Sequence, residues 1–239
     1  MRALLHLLFE SLAYAAGFWL YNRQRRDTID PLTHDQRTWV IVAAILGAAA
    51  GSKVLNWFSN PAELAARWYD PVFLMSGKTI VGGLIGGWIA VEYAKHRLGV
   101  TQRSGDLFAP ALCLGIAVGR IGCFLGGLED DTYGIATTLP WGIDFGDGIR
   151  RHPTQLYEIA FLLLLMMYLQ WRRRMPHENG DLFKLFMVAY MAFRLLLDFF
   201  KPGYALLGLT AIQWACVGVL AFYSPEIPRL LRSREAVHG

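Results

Sequence analysis

Cysteine is scarce in this sequence, and no two cysteines have a spacing typical of a metal site. The 239 residues include only three, Cys113, Cys123 and Cys216, and the lack of a Cys-x-x-Cys pair argues against zinc-ribbon and dithiol redox motifs. All three lie in apolar stretches, where we expect buried thiols. Cys123 follows Arg120 by three residues, but a small apolar filler is the favoured interpretation. No metal and no other cofactor is predicted.

Charged residues and linkers are also scarce. Charged residues make up 18% of the chain, below the roughly 25% typical of soluble domains, and no Ser/Pro-rich linker or internal repeat divides it. Hydrophobic residues supply 54% and aromatic residues 13%, and the mean hydropathy is +0.32. This composition predicts an all-α polytopic membrane protein with a single integral membrane domain over residues 1–239.

Seven apolar blocks approach the roughly 20 residues that a helix needs to cross a bilayer. They are residues 3–21, 38–58, 72–95, 106–127, 154–171, 182–200 and 207–223. The first block could instead be a cleaved signal peptide, because Ala13 and Ala15 form a small-x-small pattern. A membrane helix is favoured, since one arginine precedes the block, three follow it, and the apolar run continues past the pattern. We therefore expect seven transmembrane helices.

The basic residues predict how these helices are oriented. Fourteen follow the odd-numbered blocks: Arg23, Arg25, Arg26, Arg37, Lys95, Arg97, Arg103, Arg172, Arg173, Arg174, Lys184, Arg229, Arg232 and Arg234. Five lie on the opposite side: Arg2, Arg67, Arg150, Arg151 and Lys201. The positive-inside rule then places the amino terminus outside and the carboxyl terminus in the cytoplasm. We attribute the isoelectric point near 9.0 to the basic residues that set this orientation. No nucleic acid partner is therefore expected.

Two arginines inside the apolar blocks mark a candidate active site. Arg120 lies in "GIAVGRIGCFLGG" and Arg194 in "YMAFRLLLDFF", and a guanidinium at the bilayer centre costs at least about 2.5 kcal/mol on insertion scales. Guanidinium groups bind phosphate oxygens in a bidentate geometry, so the pair predicts an internal phosphate site. Asp198 follows Arg194 by four residues on the same helix face. This last pair is interpreted either as part of the site or as a purely structural salt bridge.

Residues 128–153 form the longest segment outside the predicted helices, and we expect them to form a lid or rim on the outer side. The segment ends in "RRHPTQLYE". There His152 is either an ordinary interfacial residue or a titrating group at the membrane surface. Gln155, Tyr157 and Glu158 follow within two turns, and Glu158 lies deep enough to need a cationic or hydrogen-bonding partner.

The third block combines Lys78 with a glycine-rich run in "SGKTIVGGLIGG". It lacks the first glycine of the nucleotide-binding pattern G-x-x-x-x-G-K-[ST], and no soluble sheet precedes it, so this match is rejected. Lys78 is predicted either to reach the membrane surface or to attract an anionic headgroup. Most of the glycines are expected to permit close helix packing, but a few, with Gly82 and Gly83 as candidates, could leave room for a lipid headgroup.

Together these motifs resemble the prolipoprotein diacylglyceryl transferase family, in order and along nearly the whole chain. The matching segments are "LAYAAGF" with Tyr14, "GGLIGG", "GRIGCF", "RHPTQLYE", "YMAFRLLLDFF" and "LTAIQW". The resemblance implies a multi-pass enzyme of the bacterial inner (cytoplasmic) membrane. It implies transfer of diacylglyceryl from phosphatidylglycerol to the lipobox cysteine thiol of prolipoproteins, with release of glycerol phosphate. The chain departs from the family pattern at Val81, where histidine is usual, and at Cys123, where asparagine is usual.

The predicted catalytic residues are Arg120, Arg194, His152 and Asp198. The predicted substrate-binding residues are Tyr14, Lys78, Gly82, Gly83, Gln155, Tyr157 and Glu158. The two arginines would hold the lipid phosphate and stabilise the leaving group, and His152 is the first candidate base because Val81 replaces the family histidine. Two alternatives stay open: the same lipid donor with a different acceptor, and a lipid-binding or transport protein without catalysis.

Overall fold

The computed structural model describes residues 2–26 and 32–231, and these are mostly α-helical, which confirms the predicted all-α character of the fold. The helices are α1 (Arg2–Arg26), α2 (His34–Ser59), α3 (Pro61–Arg67), α4 (Pro71–Met75), α5 (Ile80–Arg97), α6 (Phe108–Gly126), α7 (Thr154–Arg172), α8 (Asp181–Leu197), α9 (Ala211–Tyr223) and α10 (Ile227–Leu231). Two antiparallel hairpins pair β1 (Ile143–Asp144) with β2 (Arg150–Arg151) and β3 (Ala205–Leu206) with β4 (Leu209–Thr210). Short 3-10 turns follow α6 at Gly127–Asp130 and α8 at Asp198–Phe200.

Each of the seven predicted blocks overlaps one of the longer helices, α1, α2, α5, α6, α7, α8 and α9. Two helical segments in the described ranges are long and apolar enough to cross a bilayer on composition alone, His34–Ser59 and Phe108–Asp130. The helix α9 is apolar but shorter. Arg232 and Arg234 of the predicted charge pattern, and the side chain of Arg2, lie outside what the structure describes.

The predicted boundaries of the third block are wrong, because residues 72–95 do not form one helix. The Asp70 carboxylate accepts hydrogen bonds from two backbone N–H groups and begins a separate short helix, α4. That helix ends before Gly77, whose φ of +62° belongs to the left-handed region that favours glycine. Lys53 Nζ donates to the carbonyls of Met75 and Gly77 and so ties this connection to α2. Lys78 therefore precedes α5 and lies outside the helix.

The last block also begins later than predicted. Residues 205–210 form the second hairpin, and its two turn residues, Leu207 and Gly208, have φ values of 53° and 82°. A helix requires negative φ, so α9 begins only at Ala211 instead of residue 207. In the predicted sixth block, the α-helix ends at Leu197 and a 3-10 turn follows as far as Phe200.

Two compact units make up the chain. The first contains α1, α6, α7, α8, α10 and the β1–β2 hairpin, and the second contains α2 to α5, the β3–β4 hairpin and nearly all of α9. In the second unit α2 and α5 pack closely along their glycine-rich faces. A Cβ added at Gly86 would stand 2.3 Å from the Gly47 carbonyl oxygen and 2.8 Å from the Gly51 Cα. Gly86 is therefore a packing residue, as expected for a small residue in a membrane helix.

The α2–α5 contact gives a stability prediction. Gly86→Ala forces two backbones apart and is expected to destabilise the protein by about 1–3 kcal/mol, the usual cost of overpacking. Gly83→Ala is the matched control, because its added Cβ would lie at an ordinary 3.5 Å from the Ala48 carbonyl oxygen. Thermal unfolding in detergent measures both variants. Equal stability of the two variants would contradict this description of the interface.

In the first unit, polar contacts anchor the amino end of α8. Asp106 accepts hydrogen bonds from the backbone N–H groups of Gly180 and Phe183, at 2.7 and 3.1 Å, and so satisfies the amino end of α8. Arg229 of α10 donates to both carboxylate oxygens of Asp181, at 3.0 and 2.7 Å. These contacts fix the register of α8 and with it the position of Arg194 near its other end.

The segment 128–153, predicted as a lid or rim, contains an ordered hairpin. Asp144 Oδ1 accepts hydrogen bonds from the backbone N–H groups of Gly146, Asp147 and Gly148, which closes the turn between β1 and β2. The Arg151 guanidinium donates to both carboxylate oxygens of Asp147 and lowers the pKa of that carboxyl. The role of residues 128–153 as a lid or rim stays a prediction.

Candidate functional site

Arg120 and Arg194 meet at one carboxylate in the interior of the first unit. Arg120 comes from α6, Arg194 from α8 and Glu158 from α7, with 6%, 4% and 0% of their surface exposed. Arg120 Nε lies 2.8 Å and Arg194 Nη1 lies 3.2 Å from the same oxygen, Glu158 Oε2. The predicted convergence of the two arginines is therefore present, with Glu158 between them.

Two further side chains complete this cluster. Tyr190 donates its hydroxyl proton to Glu158 Oε1 at 2.5 Å, and Arg194 Nη2 donates to Asp198 Oδ1 at 2.8 Å. The two guanidinium groups and the two carboxylates balance in charge, which is what allows four ionised groups to be buried together. The predicted pairing of Arg194 with Asp198 is confirmed. We refer to Arg120, Glu158, Tyr190, Arg194 and Asp198 as the arginine cluster.

The arginine cluster retains buried polar atoms without a hydrogen-bond partner among the described residues. They are Nε of Arg120, Nε of Arg194 and the side-chain oxygen of nearby Gln155. Arg120 Nε is close to Glu158 Oε2, but its N–H does not point along that line, so the contact is an ion pair without a hydrogen bond. Unsatisfied buried donors cost about 1–3 kcal/mol each. A ligand that brings its own oxygen atoms could satisfy them.

His152 and Tyr157 form a second group at the amino end of α7. His152 Nδ1 lies 3.2 Å from the Tyr157 hydroxyl oxygen, which also accepts a 2.7 Å hydrogen bond from Trp141 Nε1. The imidazole packs against the Phe200 ring with centroids 5.0 Å apart. Whether His152 is an ordinary interfacial residue or a titrating group stays a prediction, but its side chain is buried. The reason is the close backbone pairing of residues 134–135 with His152.

Gln155 contacts the turn that follows α6. Its amide nitrogen donates to the Thr132 hydroxyl at 3.2 Å, and that hydroxyl donates to Asp130 Oδ2 at 2.6 Å. Thr154 donates to the Thr132 carbonyl at 2.8 Å. These bonds attach the loop after α6 to the first turn of α7, one turn before Glu158.

Lys201, which the charge pattern placed only among the basic residues of the outer side, interacts electrostatically with the arginine cluster. It directly follows the 3-10 turn that contains Asp198. Desolvation, followed by the positive charges of Arg194 and Arg120, lowers the pKa of Lys201 to about 7. A lysine of this kind changes charge near neutral pH, unlike an exposed lysine.

The remaining predicted site residues have other surroundings. Tyr14 is 73% exposed on α1. Lys78, Gly82 and Gly83 belong to the second unit, where Lys78 is exposed and a Cβ at Gly82 would stand 2.4 Å from the Gly51 carbonyl oxygen. Val81, at the position of the family histidine, is buried. A role in binding substrate stays a prediction for Tyr14, Lys78, Gly82 and Gly83.

Comparison with known proteins identifies the family. A sequence model described as prolipoprotein diacylglyceryl transferase matches residues 6–224. A phosphatidylglycerol--prolipoprotein diacylglyceryl transferase of Bordetella bronchiseptica is 32% identical over 236 residues, covering 90% of this chain and 84% of the relative. Relatives with the same description from Geobacter sulfurreducens and Photobacterium profundum are each 32% identical, covering 88% and 87% of this chain and 82% and 80% of their own lengths. The chain belongs to the prolipoprotein diacylglyceryl transferase family.

Proposed function

We propose that this protein transfers the diacylglyceryl group of phosphatidylglycerol to the lipobox cysteine thiol of prolipoproteins. The family relationship supports both substrates, since the relatives are described by this reaction. The observation that carries the site is the convergence of Arg120 and Arg194 on Glu158, because it holds two permanent positive charges side by side in a buried place. In a bilayer, the anion that can reach such a site is the phosphate of a phospholipid.

We further propose that the protein is a multi-pass protein of the bacterial inner membrane. In this arrangement α1, α2, α5, α6, α7, α8 and α9 cross the bilayer, with the amino terminus outside. The clusters after α1, α5 and α7 support this orientation, because most basic residues of the chain would then face the cytoplasm. His152 and the β1–β2 hairpin would lie at the outer surface, where a prolipoprotein cysteine presents its thiol.

In the proposed reaction the arginines hold the phosphate and the thiol attacks the adjacent carbon. The N–H groups of Arg120 and Arg194 donate to phosphate oxygens, while Glu158 and Asp198 fix the directions of the two guanidinium planes. A sulfur–carbon bond forms at the glycerol carbon of the diacylglyceryl group, and the bond between that carbon and the phosphate oxygen breaks. The leaving group, glycerol phosphate, takes the bonding electrons, and both arginines stabilise its added negative charge.

The thiol must lose its proton in this reaction, and His152 is the proposed base. Its imidazole contacts Tyr157 through Nδ1, which would leave Nε2 to accept the proton. His152→Asn is expected to lower the transfer rate by about 10²–10⁴-fold, the range for loss of a general base, without weakening phosphatidylglycerol binding. Tyr157→Phe, which removes the contact that orients the ring together with the hydrogen bond from Trp141, should cause a smaller loss. Rates and lipid affinity measured separately test this, and an unchanged rate in His152→Asn assigns the base elsewhere.

Lys201 gives a pH prediction for lipid binding. Its pKa of about 7 means that the ammonium is charged below this pH and neutral above it, so the anionic headgroup gains an attraction only on the acidic side. The affinity for phosphatidylglycerol is expected to fall several-fold between about pH 6 and pH 8. Lys201→Met should remove most of this dependence. An equal pH dependence in the variant would assign it to another group.

One reconstituted assay tests the proposed function. Purified protein is incubated with phosphatidylglycerol labelled separately in the acyl chains and in the headgroup, together with a lipobox peptide. The proposal predicts acyl label on the peptide and an equal amount of released glycerol phosphate. A peptide with serine in place of the cysteine is the control and should stay unlabelled. Glycerol phosphate without labelled peptide would indicate a different acceptor, and neither product would indicate lipid binding without catalysis.

A further inference from the structure

A second polar cluster lies at the end of α6, and nothing in the proposed transfer reaction uses it. Its members come from three elements: His6 from α1, Cys123 from α6 and Asp130 from the turn that follows α6. His6 Nδ1 lies 3.0 Å from Asp130 Oδ1. Each of the three residues offers one potential ligand atom, and these three atoms all lie within 4.8 Å of one another. The geometry points to a zinc ion bound by His6, Cys123 and Asp130, which we call the HCD site.

Two glycines of α6 bring these three residues together. A Cβ at Gly122 would stand 2.7 Å from Phe9 Cβ and 3.6 Å from the His6 carbonyl oxygen, so the missing side chain lets α1 approach α6 beside Cys123. A Cβ at Gly126 would stand 3.1 Å from Asp130 Cβ, which shows that the turn folds back tightly on the end of the helix. The backbone therefore directs all three side chains to one place.

The donor atoms fit zinc better than the alkaline-earth ions. Thiolate sulfur and imidazole nitrogen are preferred by Zn²⁺, whereas Mg²⁺ and Ca²⁺ prefer oxygen ligands. Ligand atoms about 2.0–2.3 Å from one tetrahedral zinc stand roughly 3.3–3.7 Å apart, so the observed spacing needs only small side-chain adjustments. Three protein ligands leave one coordination position for water.

Charge also favours the ion. Zn²⁺ would displace the thiol proton of Cys123 and any proton shared between His6 and Asp130, so that two negative ligands and a neutral imidazole balance its two positive charges. Arg120 lies nearby, with Nη1 3.7 Å from Cys123 Sγ. Its positive charge is already compensated by Glu158, which limits the repulsion of a metal ion at the HCD site.

A hydroxyl orients one of the ligands, and a carboxylate lies within ion-pair distance of a second. The Thr132 hydroxyl donates to Asp130 Oδ2 at 2.6 Å and leaves Oδ1 directed toward His6. His6 Nε2, the ring nitrogen turned away from Asp130, lies 4.0 Å from Glu10 Oε2. Carboxylates and hydroxyls that contact the outer atoms of metal ligands hold those ligands in place in known metal sites. The sequence predicted no metal because the three ligands are scattered along the chain and have no recognisable spacing.

Cobalt substitution tests the HCD site without measuring enzyme activity. Tag-free protein in detergent is stripped with a chelator and titrated with Co²⁺, whose bond to a thiolate gives a charge-transfer absorption in the near ultraviolet. We expect about one Co²⁺ per chain, with the absorption lost on addition of one equivalent of Zn²⁺, since Zn²⁺ competes for the same tetrahedral ligands. Cys123→Ser should abolish the absorption, and Asp130→Asn should weaken binding by about 10-fold or more.

Two matched controls keep this test specific. Cys113→Ala removes another thiol of α6, and Glu129→Gln removes the acid next to Asp130, so both variants should bind Co²⁺ like the unmodified chain. Zn²⁺ should also raise the unfolding temperature of the unmodified protein and both controls, but not of Cys123→Ser. Failure of the unmodified protein to bind Co²⁺, or a charge-transfer absorption that persists in Cys123→Ser, would overturn the proposal. The proposed transfer reaction does not depend on the HCD site, so either outcome would leave the proposed function to be decided by the transferase assay.

Discussion

Replacing either Arg120 or Arg194 with lysine is expected to lower the transfer rate by about 10²-fold or more, the usual loss when a group that stabilises developing charge is removed. Lysine keeps the charge but presents it as a point on a flexible chain, whereas arginine offers several N–H groups in a fixed plane. In the proposed complex each of the two guanidinium groups must contact Glu158 and still donate to a phosphate. A lysine ammonium cannot hold both partners in that geometry.

The measurement compares the initial rates of peptide lipidation by purified variants at equal protein concentration. Arg67→Lys is the matched control, because Arg67 pairs with Asp70 in an exposed position in the second unit. It should retain the unmodified rate. Thermal unfolding of all three variants checks that they are folded. Full activity of Arg120→Lys or Arg194→Lys would rule out the proposed phosphate-binding role of that arginine.

Replacing Glu158 with glutamine is expected to cause the largest loss of stability among single conservative changes in the arginine cluster. Glu158 is fully buried and contacts Arg120, Arg194 and Tyr190. The amide keeps the shape of the side chain but leaves the two guanidinium groups with a net positive charge in the interior. Breaking a buried ion pair in this way costs about 3–5 kcal/mol.

Two further variants calibrate this effect in thermal or denaturant unfolding. Tyr190→Phe removes only one hydrogen bond to Glu158 and should cost about 1–3 kcal/mol. Glu92→Gln removes an exposed partner of Lys95 and should cost about 0–1 kcal/mol. The expected order of destabilisation is therefore Glu158→Gln, then Tyr190→Phe, then Glu92→Gln. A Glu158→Gln variant as stable as the unmodified protein would show that Glu158 is not what balances the two arginines.

Local patterns in the sequence predicted the helices and part of the site. Apolar blocks of nearly bilayer length indicated all seven longer helices, and the four-residue spacing of Arg194 and Asp198 predicted a contact that the structure shows. The same spacing rule could have identified Tyr190, which lies four residues before Arg194 on α8. Helix ends were less predictable, because the left-handed residues Gly77 and Leu207 interrupt apolar runs without a strong composition signal.

Contacts between distant segments could not be predicted in this way. The sequence indicated that Glu158 needs a cationic partner but not that it joins both arginines, since that depends on how α6, α7 and α8 pack. The burial of His152 depends on backbone pairing with Gly134 and Ile135, which no local pattern indicates. The lowered pKa of Lys201 likewise comes first from burial and then from the charges of Arg194 and Arg120, and Arg120 lies far away in sequence on α6.

The central claim is that Arg120 and Arg194 together hold the phosphate of one phospholipid. The most direct test is an experimental structure of the protein with phosphatidylglycerol bound. The predicted result is a phosphate whose oxygens lie within hydrogen-bonding distance, about 2.7–3.2 Å, of nitrogen atoms from both guanidinium groups. A phosphate bound elsewhere, with both arginines contacting only Glu158 and Asp198, would contradict it.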